Sequence, residues 1–133
     1  MLWVSYCIRE DGYRHQLLQR AHRQRVRFFV SDYILDELAA VLTEKLKRTI
    51  RYASLSRHAI MQIAKLVSLP GQIRRHVPGD PKDDPIVQTA ISAKADYVIT
   101  ADKALLDLRK VRDIEIVTAE QFEERLPPIS SRR

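Results

Sequence analysis

Between Gly79 and Asp102 the chain reads Gly-Asp-Pro-Lys-Asp-Asp-Pro-Ile-Val-Gln-Thr-Ala-Ile-Ser-Ala-Lys-Ala-Asp-Tyr-Val-Ile-Thr-Ala-Asp, with carboxylates at both ends of an apolar middle. Ile86, Val87, Ala90 and Ile91 recur at helical spacing, which predicts a helix over 83–93 with one face on a core. Pro85 is compatible with that helix only in its first turn, where no intrahelical N–H is lost, so the start falls at or just before Asp84. Counting back along the stripe reaches Asp83, whose carboxylate is expected over the core-facing side of the first turn. Tyr97-Val98-Ile99-Thr100 is a short β-branched run that reads as a buried parallel strand, and Asp102 stands just beyond its carboxyl end. In open α/β sheets that edge is where ligands and chemistry collect.

Ordinary structural roles exist for each of these acids. Asp84 reads as a helix N-cap, Asp80-Pro81 as a turn, and Asp102 as either the cap of a short helix through Leu108 or part of a site. For Asp80 and Asp84 the structural role is expected. For Asp83 and Asp102 the functional one is, because one helix and one strand return both acids to the same sheet edge.

The rest of the chain alternates in the same way. A helix is predicted over 13–23 with Leu17, Leu18 and Ala21 inward, then a strand over 26–30 closed by Ser31. Ser31 suits the N-cap of a helix whose apolar face is Ile34, Leu35, Leu38, Val41, Leu42 and Leu46. Glu37 lies on the shoulder of that face. Six residues beyond the strand end is about 9 Å along a helix axis, within side-chain reach of the edge that holds Asp83 and Asp102. A further helix is expected from a Ser56 cap, with Ile60, Ile63, Ala64 and Val67 inward and Pro70-Gly71 as its stop. After Asp102 come a short helix with Leu105, a last strand Ile114–Val117, and a final helix opened by a Thr118/Gln121 capping box and ended by Pro127-Pro128. The expected fold class is α/β, three layers (α/β/α) around a central parallel sheet, in one domain over 1–128 with a disordered tail over 129–133.

Composition narrows the function. The three glycines form no phosphate-binding loop, which argues against a nucleotide-binding Rossmann protein. Four histidines without metal-ligand spacing argue against a zinc site, and the single cysteine allows no internal disulfide. No run approaches the roughly 18 apolar residues of a membrane span, so no membrane partner and a cytoplasmic location are expected. A net charge of +6 suits a polyanionic partner, with basic clusters at 20–27, 45–51, 74–76 and 109–112 able to neutralise phosphates.

Four segments, in order and at the right spacing, resemble the PIN domain family, and within it the VapC-like toxin components of toxin–antitoxin systems. Ser31-Asp32-Tyr33-Ile34-Leu35-Asp36-Glu37-Leu38 is similar to that family's Ser-x-x-Ile-Leu-x-Glu-Leu segment, and Asp80-Pro81-Lys82-Asp83-Asp84 to its Asp-Pro-x-Asp-Asp helix start. Ala95-Asp96-Tyr97-Val98-Ile99-Thr100-Ala101-Asp102 resembles its Ala-Asp-Tyr-Leu-Val-Thr-x-Asp strand end, and Ile116-Val117-Thr118 before Phe122 its usual close. The resemblance breaks at the front. Leu2-Trp3-Val4-Ser5 is similar to the stretch immediately after the family's first strand and first acid, and neither of those is matched. Two expectations account for this, a start placed late relative to the family pattern or a degenerate relative that has lost its chemistry.

The resemblance implies a Mg2+- or Mn2+-dependent ribonuclease with Asp83 and Asp102 as metal ligands and Glu37 binding metal or positioning the attacking water. Thr100 would hold a metal-bound water. Three carboxylates brought together repel one another at neutral pH, a cost that a hard divalent cation relieves. Without the first acid the chain is expected to be weak or inactive. The implied partners are RNA, a cognate antitoxin protein and a second copy in a homodimer. The alternative is a noncatalytic PIN-like module that binds RNA or protein through its basic faces.

Overall fold

The computed structural model describes residues 2–9, 11–78 and 80–128; the tail expected to be disordered lies outside them. Its strands are short and its helices carry most of the core. The apolar front forms helix α1 (Leu2–Ile8), which packs on α2 (Tyr13–Arg23). Trp3 and Tyr6 of α1 are buried edge-to-face, with ring centroids 5.6 Å apart.

Strand β1 (Phe28–Val30) leads into α3 (Asp32–Ala40), which continues as a π-helical turn over Val41–Lys45. Helix α4 (Ile50–Met61) begins at Thr49, whose hydroxyl accepts from the Tyr52 N–H at 3.0 Å. The expected Ser56 cap is therefore corrected: Ser56 is a buried residue inside α4. Ala64, predicted on that helix, instead opens strand β2 (Ala64–Leu66), which pairs in parallel with β1, Phe28 opposite Ala64 and Val30 opposite Leu66. An apolar run this short fits either period, and the free edge of β1 decides it by offering backbone partners that a continued helix would leave unmet.

After a 3-10 turn (Pro81–Asp83) come α5 (Asp84–Ala93), β3 (Tyr97–Ile99), α6 (Lys103–Leu106), β4 (Lys110–Val111), β5 (Ile114–Val117) and α7 (Ala119–Arg125). The Thr118/Gln121 capping box opens α7 with both reciprocal hydrogen bonds, at 3.1 and 2.9 Å. β3 pairs in parallel with β5, and β4 folds back antiparallel on β5. Hydrogen bonding divides the strands into two sheets, β1-β2 and β3-β5-β4, so among the described residues β1 and β3 each have a strand on one side only.

Strand alternation shows the layers. Val98 of β3 and Ile114 and Ile116 of β5 face a cluster with Val87 and Ala90 of α5. Tyr97, Ile99 and Val117 face the opposite cluster, with Leu17 and Ala21 of α2 and Phe122 of α7. Helices therefore cover both faces, the three-layer α/β/α arrangement that the alternating elements predict. Ile86 packs against the clusters of both sheets, which makes α5 the helix that joins them.

Candidate metal centre

The acidic group is built by two chain segments. Asp80 caps the 3-10 turn, accepting from the Lys82 N–H at 3.3 Å, while its carbonyl accepts from the Asp83 N–H at 3.2 Å. The turn is only three residues long, so its cap Asp80 and its last residue Asp83 stand close together. Asp102 arrives from beyond β3. Its N–H donates to Thr100 Oγ1 at 3.0 Å, and its Oδ1 accepts from the Ala104 N–H at 3.3 Å as the cap of α6. One carboxylate oxygen from each of Asp80, Asp83 and Asp102 lies within 4.8 Å of the others.

The three acids differ in burial. Asp102 is exposed, Asp80 half-buried, and Asp83 buried at 8 % exposure. Among the described residues Asp83 Oδ2 is buried with no hydrogen-bond partner, and the neighbouring carboxylates of Asp102 and Asp80, when ionised, have nothing to donate to Asp83. Burial, and then the adjacent Asp102 and Asp80, push the Asp83 carboxyl up to about 7. At neutral pH such a group is poised to share a proton with its neighbours or to exchange that proton for a cation. An all-oxygen donor set around an orphaned buried oxygen fits a hard divalent ion. Asp80, Asp83 and Asp102 would hold it.

Of the predicted residues, Asp83 and Asp102 come together and Glu37 stays outside the converging oxygens. Glu37 is exposed on α3, one turn beyond Tyr33. The Tyr33 phenol ties the two regions: it donates to the Lys82 carbonyl at 2.8 Å. Burial raises its pKa first, followed by the charges of Glu37, Asp83 and Asp80. The Thr100 hydroxyl accepts from the Asp102 N–H, which shapes the loop that presents Asp102, and keeps its own O–H to donate.

Asp80, assigned to a turn from sequence, does form that turn and also joins the acidic group. The i, i+3 spacing of two aspartates across Pro81 was the available signal. Asp84 departs from expectation in a different way. It is not the N-cap of α5; that position is Asp83, without a side-chain cap. The Asp84 carboxylate, 4 % exposed, turns back to the loop before it and accepts from the N–H groups of His76 and Val77, both at 2.8 Å, with Arg75 Nε at 3.4 Å. Burial alone would raise its pKa, but those two N–H donors and Arg75 outweigh it and hold the group below the usual carboxylate range. Asp84 thus anchors the 75–77 loop and is unavailable to the acidic group.

Among the described residues, no helix is long and apolar enough to cross a membrane. No curated protein and no solved structure matches the chain. A family model described as PIN domain matches residues 1–104, most of the sequence and all three converging acids. The chain belongs to the PIN domain family.

Proposed function

We propose that the chain is a Mg2+- or Mn2+-dependent ribonuclease, weakened by the unmatched first acid of the family pattern, that hydrolyses phosphodiester bonds at the Asp80–Asp83–Asp102 group. The observation that carries this reading is the convergence of three carboxylates, one of them the buried Asp83 with an unpartnered oxygen among the described residues, at the carboxyl edge of β3, in a PIN domain. When bound, the cation supplies an activated water and offsets charge on the scissile phosphate. The chain's own residues do the rest. Asp83 yields its proton as the site is loaded, and the α6 cap holds Asp102 at the edge. Glu37, on the exposed face of α3 and near enough for its charge to act on the Tyr33 phenol, positions the attacking water. The +6 net charge draws the RNA backbone to the protein around this acidic point. The resemblance to VapC-like toxins extends the proposal: the chain would be the toxin of a type II toxin–antitoxin pair, with an antitoxin protein covering the acidic group and a homodimer as its assembly.

The test is cleavage of a mixed RNA substrate with Mg2+ or Mn2+, with EDTA, and with Asp83→Asn and Asp102→Asn. The reading expects weak cleavage by the parent protein, as the unmatched first acid implies, and its abolition by EDTA and in both variants. A second reading, a noncatalytic RNA-binding module, is favoured by the separation of Glu37 from the three acids. It expects no cleavage and RNA binding that chelators leave unchanged.

A further inference from the structure

The three converging acids repel one another, and two of them sit on a short turn whose internal hydrogen bonds are long, 3.2 Å from Asp83 N–H to Asp80 O and 3.3 Å from Lys82 N–H to Asp80 Oδ1. Something outside the turn has to hold it against that repulsion. Tyr33 reaches it from the first turn of α3: its hydroxyl donates to the carbonyl of Lys82, the middle residue of the turn, at the shorter distance of 2.8 Å. The ring packs partly buried against the cluster around Ile34, Leu35 and Leu38, so the phenol acts as a strut from the core rather than as a free arm. Just before it, the fully buried Ser31 hydroxyl shares a 2.8 Å hydrogen bond with Thr89 of α5. The start of α3 is thereby pinned both to α5 and to the acid-bearing turn that precedes α5.

We propose that Tyr33 is a positioning residue whose hydroxyl holds the Pro81–Asp83 turn in the register that brings the Asp80 and Asp83 oxygens onto Asp102. It acts through the Lys82 carbonyl and is not itself a ligand. The proposal rests on the reading of this group as a divalent-cation site, and it adds a specific route by which α3 controls that site.

Tyr33→Phe keeps the ring and removes the hydroxyl. Tyr52→Phe is the control, because Tyr52 also donates to a backbone carbonyl at 2.8 Å, that of Cys7, on another part of the molecule; its bond is part-buried where that of Tyr33 is exposed, so the control loses at least as much locally. Two readouts are taken on the full chain: Mn2+ affinity from Mn2+ electron paramagnetic resonance, and hydrogen exchange of the Asp83 amide. The expected result is Mn2+ affinity about 10- to 100-fold weaker in Tyr33→Phe, the usual loss when a group that orients a ligand is removed, with faster Asp83 exchange. Tyr52→Phe should change neither. Parent-like Mn2+ affinity in Tyr33→Phe, or an equal loss in Tyr52→Phe, overturns the proposal. If the parent chain binds no Mn2+, the cation reading fails on its own, and amide exchange decides the role of Tyr33. Faster Asp83 exchange confined to Tyr33→Phe then supports the strut, and unchanged exchange overturns it.

Discussion

Asp83 and Asp84 are adjacent, both buried, and held in opposite electrostatic states. Asp83 is buried and, among the described residues, meets two other carboxylates, so its charged form is penalised by burial first and by their charge next. Asp84 faces two backbone N–H groups and a guanidinium, so its charged form is favoured. One step along the chain separates a group available for exchange with solvent ions from a group committed to the fold.

Asparagine substitution should separate these roles. Asp83→Asn removes a charge that burial and two neighbouring carboxylates disfavour, so stability without metal should be unchanged or higher while added Mn2+ no longer raises the melting temperature. Asp84→Asn removes a charged acceptor from two N–H groups and unpairs Arg75. It should cost about 2 kcal/mol, the scale of hydrogen bonds to charged groups, and leave the Mn2+ response present. Thermal melts of both variants, with and without Mn2+, check this; a reversed ranking would mean the roles are misassigned.

Much of this site was legible in the sequence, for reasons that differ residue by residue. Asp83 and Asp102 were reached from helix periodicity and from the strand end at Thr100, both local signals. Asp80 was hidden because a turn aspartate before proline has a sufficient structural explanation, and only the folded turn shows that the same residue also meets Asp83. Asp84 was misplaced because its partners, the N–H groups of His76 and Val77, belong to a loop whose path no periodicity reveals. In the fold, the β2 strand was missed for a similar reason: its conformation is set by pairing with distant Phe28–Val30 and not by its own residues.

Helix α5 ends at Lys94, which adopts φ 55° and ψ 42°, a left-handed conformation that costs an L-residue and suits glycine. Its N–H still bonds to the Ala90 and Ile91 carbonyls, so the substitution Lys94→Gly preserves the cap. The relief of side-chain crowding is partly offset by the freer unfolded chain, and the expected net gain is about 0.5 kcal/mol. Urea denaturation measures it, and a loss of stability would show that the lysine side chain contributes something the backbone conformation does not account for.

Glu37→Gln should distinguish positioning of water from metal binding. Since Glu37 lies outside the converging oxygens, the variant should keep Mn2+ affinity within about twofold of the parent, while RNA cleavage falls by about 10²-fold, at the lower end of what a group assisting proton transfer supplies. Mn2+ titration beside cleavage kinetics reads both. A loss of Mn2+ affinity as large as that of Asp83→Asn would place Glu37 among the ligands.

The pH dependence of stability carries the sign of each acid. Asp83 titrates at about 7 in the folded protein and near 3.8 when unfolded. Between those values the folded state keeps a proton that the unfolded state has released, so this group lowers stability steadily as pH rises from about 4 to about 7, and no further above that. Asp84, lowered on folding, works the other way: it contributes stability above about 3.8 and loses it as pH falls through its folded value. Without metal, stability should therefore peak on the acid side of neutrality. A divalent ion competes with the Asp83 proton, so added Mn2+ should stabilise little below about pH 5 and fully above about 7, by roughly 2.7 kcal/mol at a hundredfold excess over its Kd. Melting temperatures across this range, with and without Mn2+, should show the descending arm flattened by the ion. The same arm should be absent from Asp83→Asn; its persistence there would assign the titration to another group.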